Sequence, residues 1–141
     1  MDDFLRRLTF DFLGRGSHKV LPAALFSDPA AVLLDVRTRE ELQSVCFPLV
    51  NQVSMSLQIP LNELPDRLAE IPRGCLVGIL CVSDVRSAIA YAYLQVRGFD
   101  NVRVLAGGTA GLLDQLKTGN LRRSILAREA ERCSLPEESG V

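Results

Sequence analysis

The chain has 141 residues, 48% hydrophobic and 23% charged, the length and balance of one ordinary globular domain and not of a disordered or fibrous chain. Lys and Arg number 16 against 17 Asp and Glu, a net charge of -1, so no general field draws the protein to nucleic acid or anionic lipid, and any anion site has to be local. The longest uninterrupted apolar stretch, 76–82, is far short of the roughly 20 residues that cross a bilayer and reads as a buried strand, not a membrane segment.

The N-terminus, Met1-Asp2-Asp3-Phe4-Leu5-Arg6-Arg7, is acidic and then basic without a long apolar core; it is not a secretory signal, and a cytoplasmic protein is expected. Phe4, Leu5, Leu8 and Phe12 recur at helical spacing and predict one amphipathic helix over 2–13, closed by Gly14 and Gly16. Val20 to Phe26 is a short apolar element before the break at Asp28-Pro29. Ala31 to Val36 is a continuous Val- and Leu-rich run that suits a strand covered on both faces. A helix is expected at about Thr38 to Gln43, with Thr38 and Glu41 spaced as a capping box. A short strand is expected around 53–56, between Pro48 and Pro60.

Asn62 to Ile71 reads as a helix capped by Asn62, with Pro65 near its first turn. Leu76 to Leu80 is the next buried strand. Arg86 to Val96 is a helix on which Ile89, Tyr93 and Val96 share a face, with Gly98 as its left-handed stop. Val102 to Leu105 is a further strand, Gly107-Gly108 a turn, and Thr109 to Lys117 and Leu121 to Arg132 two more helices. Strands alternating with helices imply an α/β fold: a central, mostly parallel sheet of about five strands with helices on both faces, plus extra N- and C-terminal helices. The expected organisation is a helical extension over 1–16, a central domain over 17–119, and a C-terminal helix and polar tail over 120–141.

In such sheets ligands bind outside the carboxyl ends of the strands. Cys81 follows a strand directly and precedes a loop that enters a helix, so it falls at that edge. A helix N-terminus stabilises a neighbouring thiolate, and Arg86 adds a permanent cation. The four residues between Cys81 and Arg86 can curl their amides around one anionic atom. A buried small hydrophobe at a strand end is an equally good reading of Cys81 by position alone. The other cysteines, 46, 75 and 133, form no Cys-x-x-Cys pair, and Cys46 and Cys133 read as buried or idle thiols more than as a second redox site. With a single histidine, His18, taken as a surface or turn residue, there is no zinc set. Cys75 and Cys81 stand at opposite ends of one strand, about 20 Å apart, too far for a disulfide.

Five ordered motifs resemble those of single-domain rhodaneses: Leu33-Leu34-Asp35-Val36-Arg37, Ile59-Pro60-Leu61, Cys81 to Arg86-Ser87, Gly98-Phe99-Asp100-Asn101-Val102, and Leu105-Ala106-Gly107-Gly108. The resemblance covers roughly 18–118. It implies the rhodanese-like fold and a ping-pong sulfur transfer. The Cys81 thiolate takes a sulfane sulfur from a donor such as thiosulfate or a persulfide, and passes it to a thiol, a cyanide-like acceptor or a sulfur-accepting protein. It implies no metal and no organic cofactor. Carried over residue by residue, Cys81 and Arg86 are the catalytic pair, and Val82, Ser83, Asp84, Val85 and Ser87 hold the sulfur. Asp35 and Arg37 are buried support, for which a plain ion pair with helix caps reads equally well.

The chain departs from that pattern. Gln52-Val53-Ser54-Met55-Ser56 stands where the family has His-Ile-Pro-Gly-Ala, after an apparent insertion of about six residues around Cys46-Phe47-Pro48. Asp84 puts a carboxylate in the sulfur loop; it should weaken attraction for a dianion unless it caps the next helix, which is the favoured reading. Ala106 replaces an acidic residue before the Gly-Gly pair. Tyr91 and Tyr93 read as packing. A phosphatase or arsenate reductase of the related fold has one more residue between Cys and Arg, because a tetrahedral oxyanion needs a wider cradle. The remaining alternative is a non-catalytic module of the same fold that docks a partner, or a second copy as a homodimer, through apolar faces of the 2–13 and 121–132 helices.

Overall fold

The computed structural model describes residues 1–45, 55–117, 119 and 123. Cys46, Pro48, Val53, Cys133 and the helix expected over 121–132 lie outside them. The chain runs α1 (Asp2–Arg7), α2 (Phe10–Gly14), β1 (Lys19–Val20), α3 (Pro22–Ser27), β2 (Val32–Asp35), α4 (Arg39–Ser44), β3 (Met55–Gln58), two 3₁₀ turns (Leu61–Asp66 and Leu68–Glu70), β4 (Val77–Leu80), α5 (Val85–Val96), β5 (Val102–Leu105) and α6 (Gly108–Lys117).

The strands form one five-stranded sheet in the order β1-β5-β4-β2-β3, and every pairing is parallel. β4 lies at its centre, hydrogen-bonded to β2 on one side and β5 on the other. β2 and β4 are buried along their whole length, as the continuous apolar runs require. Side chains alternate between two cores. Val32, Leu34, Val77, Ile79, Val102 and Val104 pack with Ala90, Tyr91 and Leu94 of α5 and with Phe4 of α1. Leu33, Leu80 and Leu105 pack on the other face with Leu25 and Phe26 of α3 and Leu112 of α6. Gly78 is what lets α3 approach: a Cβ there would stand 2.6 Å from a terminal carbon of Leu25.

Several elements differ from the sequence expectation. The single helix over 2–13 is two, because Thr9 takes an extended conformation and its hydroxyl accepts from Phe12 N–H, starting α2 afresh. The 20–26 element divides into the end of β1 and a helix beginning at Pro22, a favoured first position. The strand expected at 53–56 is seen as Met55–Gln58. The helix expected over 62–71 is two 3₁₀ turns, entered from Pro60 and not capped by Asn62. Pro65 sits inside the first of them, where it has no N–H to give and disfavours α geometry in the residue before it.

On α5 the face is corrected: Ser87, Ala90, Tyr91 and Leu94 are buried, while Ile89 and Val96 face solvent. His18 is half-buried, not a plain surface residue; its ring lies 6.3 Å from Phe12 and 6.4 Å from Tyr91. Burial and then the neighbouring Lys19 charge lower the pKa of its imidazole. Tyr91 is packing, as expected, with Phe4 edge-on at 5.9 Å. The capping box of α4 forms as read, Thr38 Oγ1 accepting from Glu41 N–H while Glu41 accepts from Thr38 N–H. Gly98 takes a φ of +84° just past the last turn of α5, as its stop signal required.

Candidate active site

Cys81 follows β4 and is fully buried, at the carboxyl edge of the central strand. Its Sγ lies 3.2 Å from Ser87 Oγ and accepts from Ser87 N–H at 3.3 Å. Ser87 is fully buried and its Oγ also donates to Asp84 C=O at 3.0 Å. One hydroxyl proton cannot serve both acceptors. With a thiol, Sγ–H donates to Ser87 Oγ while that hydroxyl donates to Asp84; with a thiolate, the hydroxyl can turn to the sulfur. Ser87 thus offers the sulfur two donors in the charged state.

The loop from Val82 to Asp84 is short and sharply curved. Val85 N–H is directed to Ser83 C=O at 2.8 Å, and Ala88 N–H to Asp84 C=O at 2.9 Å, which opens α5. Asp84 has a φ of +63°, the only positive value among the described non-glycine residues. Asp tolerates this left-handed conformation better than most residues. Asp84 occupies the N-cap position of α5, but its side chain makes no capping bond, and its Oδ1 is buried without a hydrogen-bond partner. The side-chain cap expected for Asp84 is therefore absent: an N-cap side chain reaches the first helical N–H groups from extended backbone, not from the left-handed region.

Arg86 reaches across to α4. Its Nη1 and Nη2 donate to the two carboxylate oxygens of Glu41 at 2.6 and 2.7 Å, a bidentate pair. Sequence reasoning assigned Glu41 only to the capping box. The missed signal is that the same carboxylate can serve Thr38 N–H and a cation from the loop after Cys81 together. The Arg86 guanidinium holds Glu41 at about 2 against an ordinary 4.5, with the Thr38 backbone bond helping. In return, the Glu41 hydrogen bond raises Arg86, with smaller contributions from Cys81 and Asp35.

A carboxyl depressed in the folded state stabilises it fully above its unfolded value, and that stabilisation is lost as pH falls through the folded one. Thermal unfolding of the wild type is thus expected to drop between about pH 5 and pH 2, and Glu41→Gln to flatten that drop. Parallel profiles for the two proteins would show that the pair carries no stability.

Asp35 and Arg37 form a buried ion pair, as the family resemblance implied. Arg37 Nη2 meets Asp35 Oδ2 at 2.7 Å, Nε lies 3.0 Å from both carboxylate oxygens, and Arg37 N–H donates to Oδ1 at 3.1 Å. Arg37 Nη1 donates to Val45 C=O at 3.0 Å, and Asp35 C=O accepts from Ile59 N–H at 3.0 Å. The pair thus ties the end of β2 to the chain after α4 and to the segment after β3.

Gly108 closes the site from behind. It has a φ of +55°, and a Cβ on it would lie 2.7 Å from Val82 O and 2.8 Å from Cys81 O. Thr109 N–H donates to Cys81 C=O at 3.2 Å. The Gly107-Gly108 turn therefore holds the backbone of Cys81 and Val82. Cys75 and Cys81 flank β4 and both are free thiols. Among the described residues no group of His, Cys, Asp and Glu is placed to hold a metal, and no helix is long and apolar enough to cross a membrane.

The family model for the Rhodanese-like domain matches residues 19–115. A sulfurtransferase of Allochromatium vinosum is 38% identical over 77 residues, 55% of this chain and 66% of that protein, so the match spans just under two thirds of that relative. The rhodanese-related protein of Thermoplasma volcanium superposes with a TM-score of 0.57 at 24% identity, covering 70% of this chain and 92% of its own. The NAD-dependent persulfide reductase from A. fulgidus gives 0.51 at 29% identity, covering 72% of this chain and 17% of that one. The parallel five-stranded sheet and the likeness to the Thermoplasma volcanium structure agree on the fold expected from the five motifs.

Proposed function

This chain belongs to the rhodanese-like domain family, and from that premise we propose that it is a sulfurtransferase working through a persulfide on Cys81. The domain that does this spans 17–119, with 1–16 and 120–141 as additions to it. The observation that carries the reading is the placement of the Cys81 sulfur: at the end of the central strand, 3.3 Å from Ser87 N–H, at the start of a loop whose Arg86 is anchored on Glu41. A thiolate there has donors, and water has little access. It attacks the sulfane sulfur of a donor, and the persulfide it forms is discharged to a thiol or cyanide-like acceptor or to a protein.

In this reading Arg86 is a positioning residue that holds α4 against the sulfur loop, and Asp35 and Arg37 support the same edge of the sheet. Val82, Ser83, Asp84, Val85 and Ser87 surround the sulfur. Neither nucleic acid nor a membrane is involved, no metal or organic cofactor is called on, and the reaction belongs in the cytoplasm. The sulfurtransferase name of the Allochromatium vinosum relative supports the reading. Incubation with thiosulfate or a small persulfide is expected to add one sulfur atom to the intact mass, and Cys81→Ser to abolish the gain. No gain with any sulfane donor would leave the rival reading, a rhodanese-fold module that only docks a partner. A gain that persists in Cys81→Ser would move the chemistry to another thiol.

A further inference from the structure

α5 carries a surface that neither the core nor the sulfur chemistry accounts for. Its sequence, Val85 to Val96, contains one charged residue, Arg86, and that residue is paired with Glu41. The face opposite the core carries Val85, Ile89 and Val96, spaced i, i+4 and i+11 along one stripe, with Ala92 between them half-buried against the core. Val85 is 64% exposed, Ile89 54% and Val96 44%, and Val82 in the sulfur loop is 45% exposed. Scattered exposed apolar side chains are ordinary. A line of them without a charge, on a helix that begins in the loop around the candidate nucleophile, is the pattern of a surface that is covered in use.

Two observations define the occupant. A stripe on 12 residues of helix runs about 18 Å and offers a few hundred Å², well below the roughly 800 Å² per partner of a stable interface. That suits an encounter that must release after each turnover, not a permanent dimer. The charge at the loop is the second. Arg37 and Arg86 each already hold a carboxylate, whereas the Asp84 Oδ1 is buried without a hydrogen-bond partner. A small dianion approaching this loop meets the Asp84 side chain, whose Oδ1 has no hydrogen-bond partner to offset its negative charge.

Building on the sulfur-transfer reading, we infer that Cys81 is served by a protein persulfide flanked by apolar side chains, docked along the outer face of α5, and that Asp84 turns dianionic donors such as thiosulfate away. The Cys81 thiolate attacks the partner's outer sulfur. A new S–S bond forms to Cys81 as the partner's S–S bond breaks, and the electron pair leaves on the partner's inner sulfur as a thiolate. No external oxidant or reductant is needed.

The test compares three sulfur sources by the rate of one-sulfur mass gain on Cys81: thiosulfate, a cysteine-persulfide peptide with Leu and Ile flanks, and the same peptide with Ser and Gln flanks. The apolar peptide is expected to load the wild type about tenfold faster than the polar one, and Ile89→Glu with Val96→Glu to remove that advantage while changing thiosulfate loading far less. Asp84→Asn is expected to raise thiosulfate loading about tenfold relative to loading from either peptide. Ile89→Ser with Val96→Ser gives the same readout should the paired carboxylates disturb the helix.

Equal rates for the two peptides, or an advantage that survives both stripe variants, would overturn the docking face. Unchanged thiosulfate loading in Asp84→Asn would overturn the role of the carboxylate. A stable dimer in sedimentation velocity that Ile89→Glu dissolves would give the stripe to a second copy and overturn the assigned partner. If no donor loads the wild type, the sulfur-transfer reading itself fails. Fluorescence anisotropy of the two unsulfurated peptides on Cys81→Ser then judges the surface separately: preferential binding of the apolar peptide sustains it, and equal binding overturns it.

Discussion

Arg37→Ala is expected to destabilise the domain by about 3–5 kcal/mol, the cost of leaving one partner of a buried ion pair uncompensated. Asp35 and Arg37 are 4% and 2% exposed, so water cannot replace the lost guanidinium. The three contacts to the Asp35 carboxylate and the one to Val45 C=O are among those that vanish together. Replacing the pair as a whole, Asp35→Leu with Arg37→Met, is expected to recover much of the loss, since an apolar pair of similar volume carries no desolvation cost. Urea unfolding of the three proteins measures both effects. A single variant within about 1 kcal/mol of wild type would show that the pair is held for position alone.

Gly108→Ala is the second large effect, and it reaches the candidate site through backbone. The new Cβ would fall within 3 Å of both Val82 O and Cys81 O, at a φ of +55° that L side chains rarely adopt. Neither obstacle is a flexible side-chain tip, so the sulfur loop or the α6 turn has to move. The left-handed strain and the overpacking together put the expected destabilisation at about 2–4 kcal/mol. Sulfur loading of Cys81 should fall more than the loss of folded protein explains, because the displaced carbonyls belong to Cys81 itself and to Val82. Full loading per folded molecule would show that the loop position is not what the glycine protects.

The parts of the fold that were legible were those in which one residue type has one physical use. The runs 31–36 and 76–80 read as doubly covered strands, because Asp35 is the one polar residue in them. Thr38 with Glu41 and the left-handed stop at Gly98 are local devices, complete within a few residues, and both appear as read. The Asp35–Arg37 pair was expected through the family motif and not from a local pattern. Where the expectation failed, a competing local preference won: Thr9 restarted a helix that periodicity alone ran through, and Pro65 tightened an α-helical pattern into 3₁₀ turns.

The face of α5 was misread because Val, Ile and Tyr weigh more in a periodicity count than Ser and Ala, whereas the sheet selects small residues where a helix must approach closely. Ser87 and Ala90 are fully buried for that reason, and Val85 and Ile89 are left in water. Asp84 was misread because a carboxylate ahead of a helix normally caps it, and only the fold reveals a left-handed residue whose side chain cannot.

The amino-acid sequence alone determined the order of strands and helices, the place of Cys81 at a strand's carboxyl end and the family motifs, since each depends on neighbours along the chain. Only the tertiary structure decided that Arg86 meets Glu41 across 45 positions, that Gly108 presses on the carbonyls of Cys81 and Val82, and that the Asp84 Oδ1 is buried without a partner. Those contacts join segments that the sheet order β1-β5-β4-β2-β3 brings together, and crossover connections set that order through burial of both sheet faces, not through any local pattern.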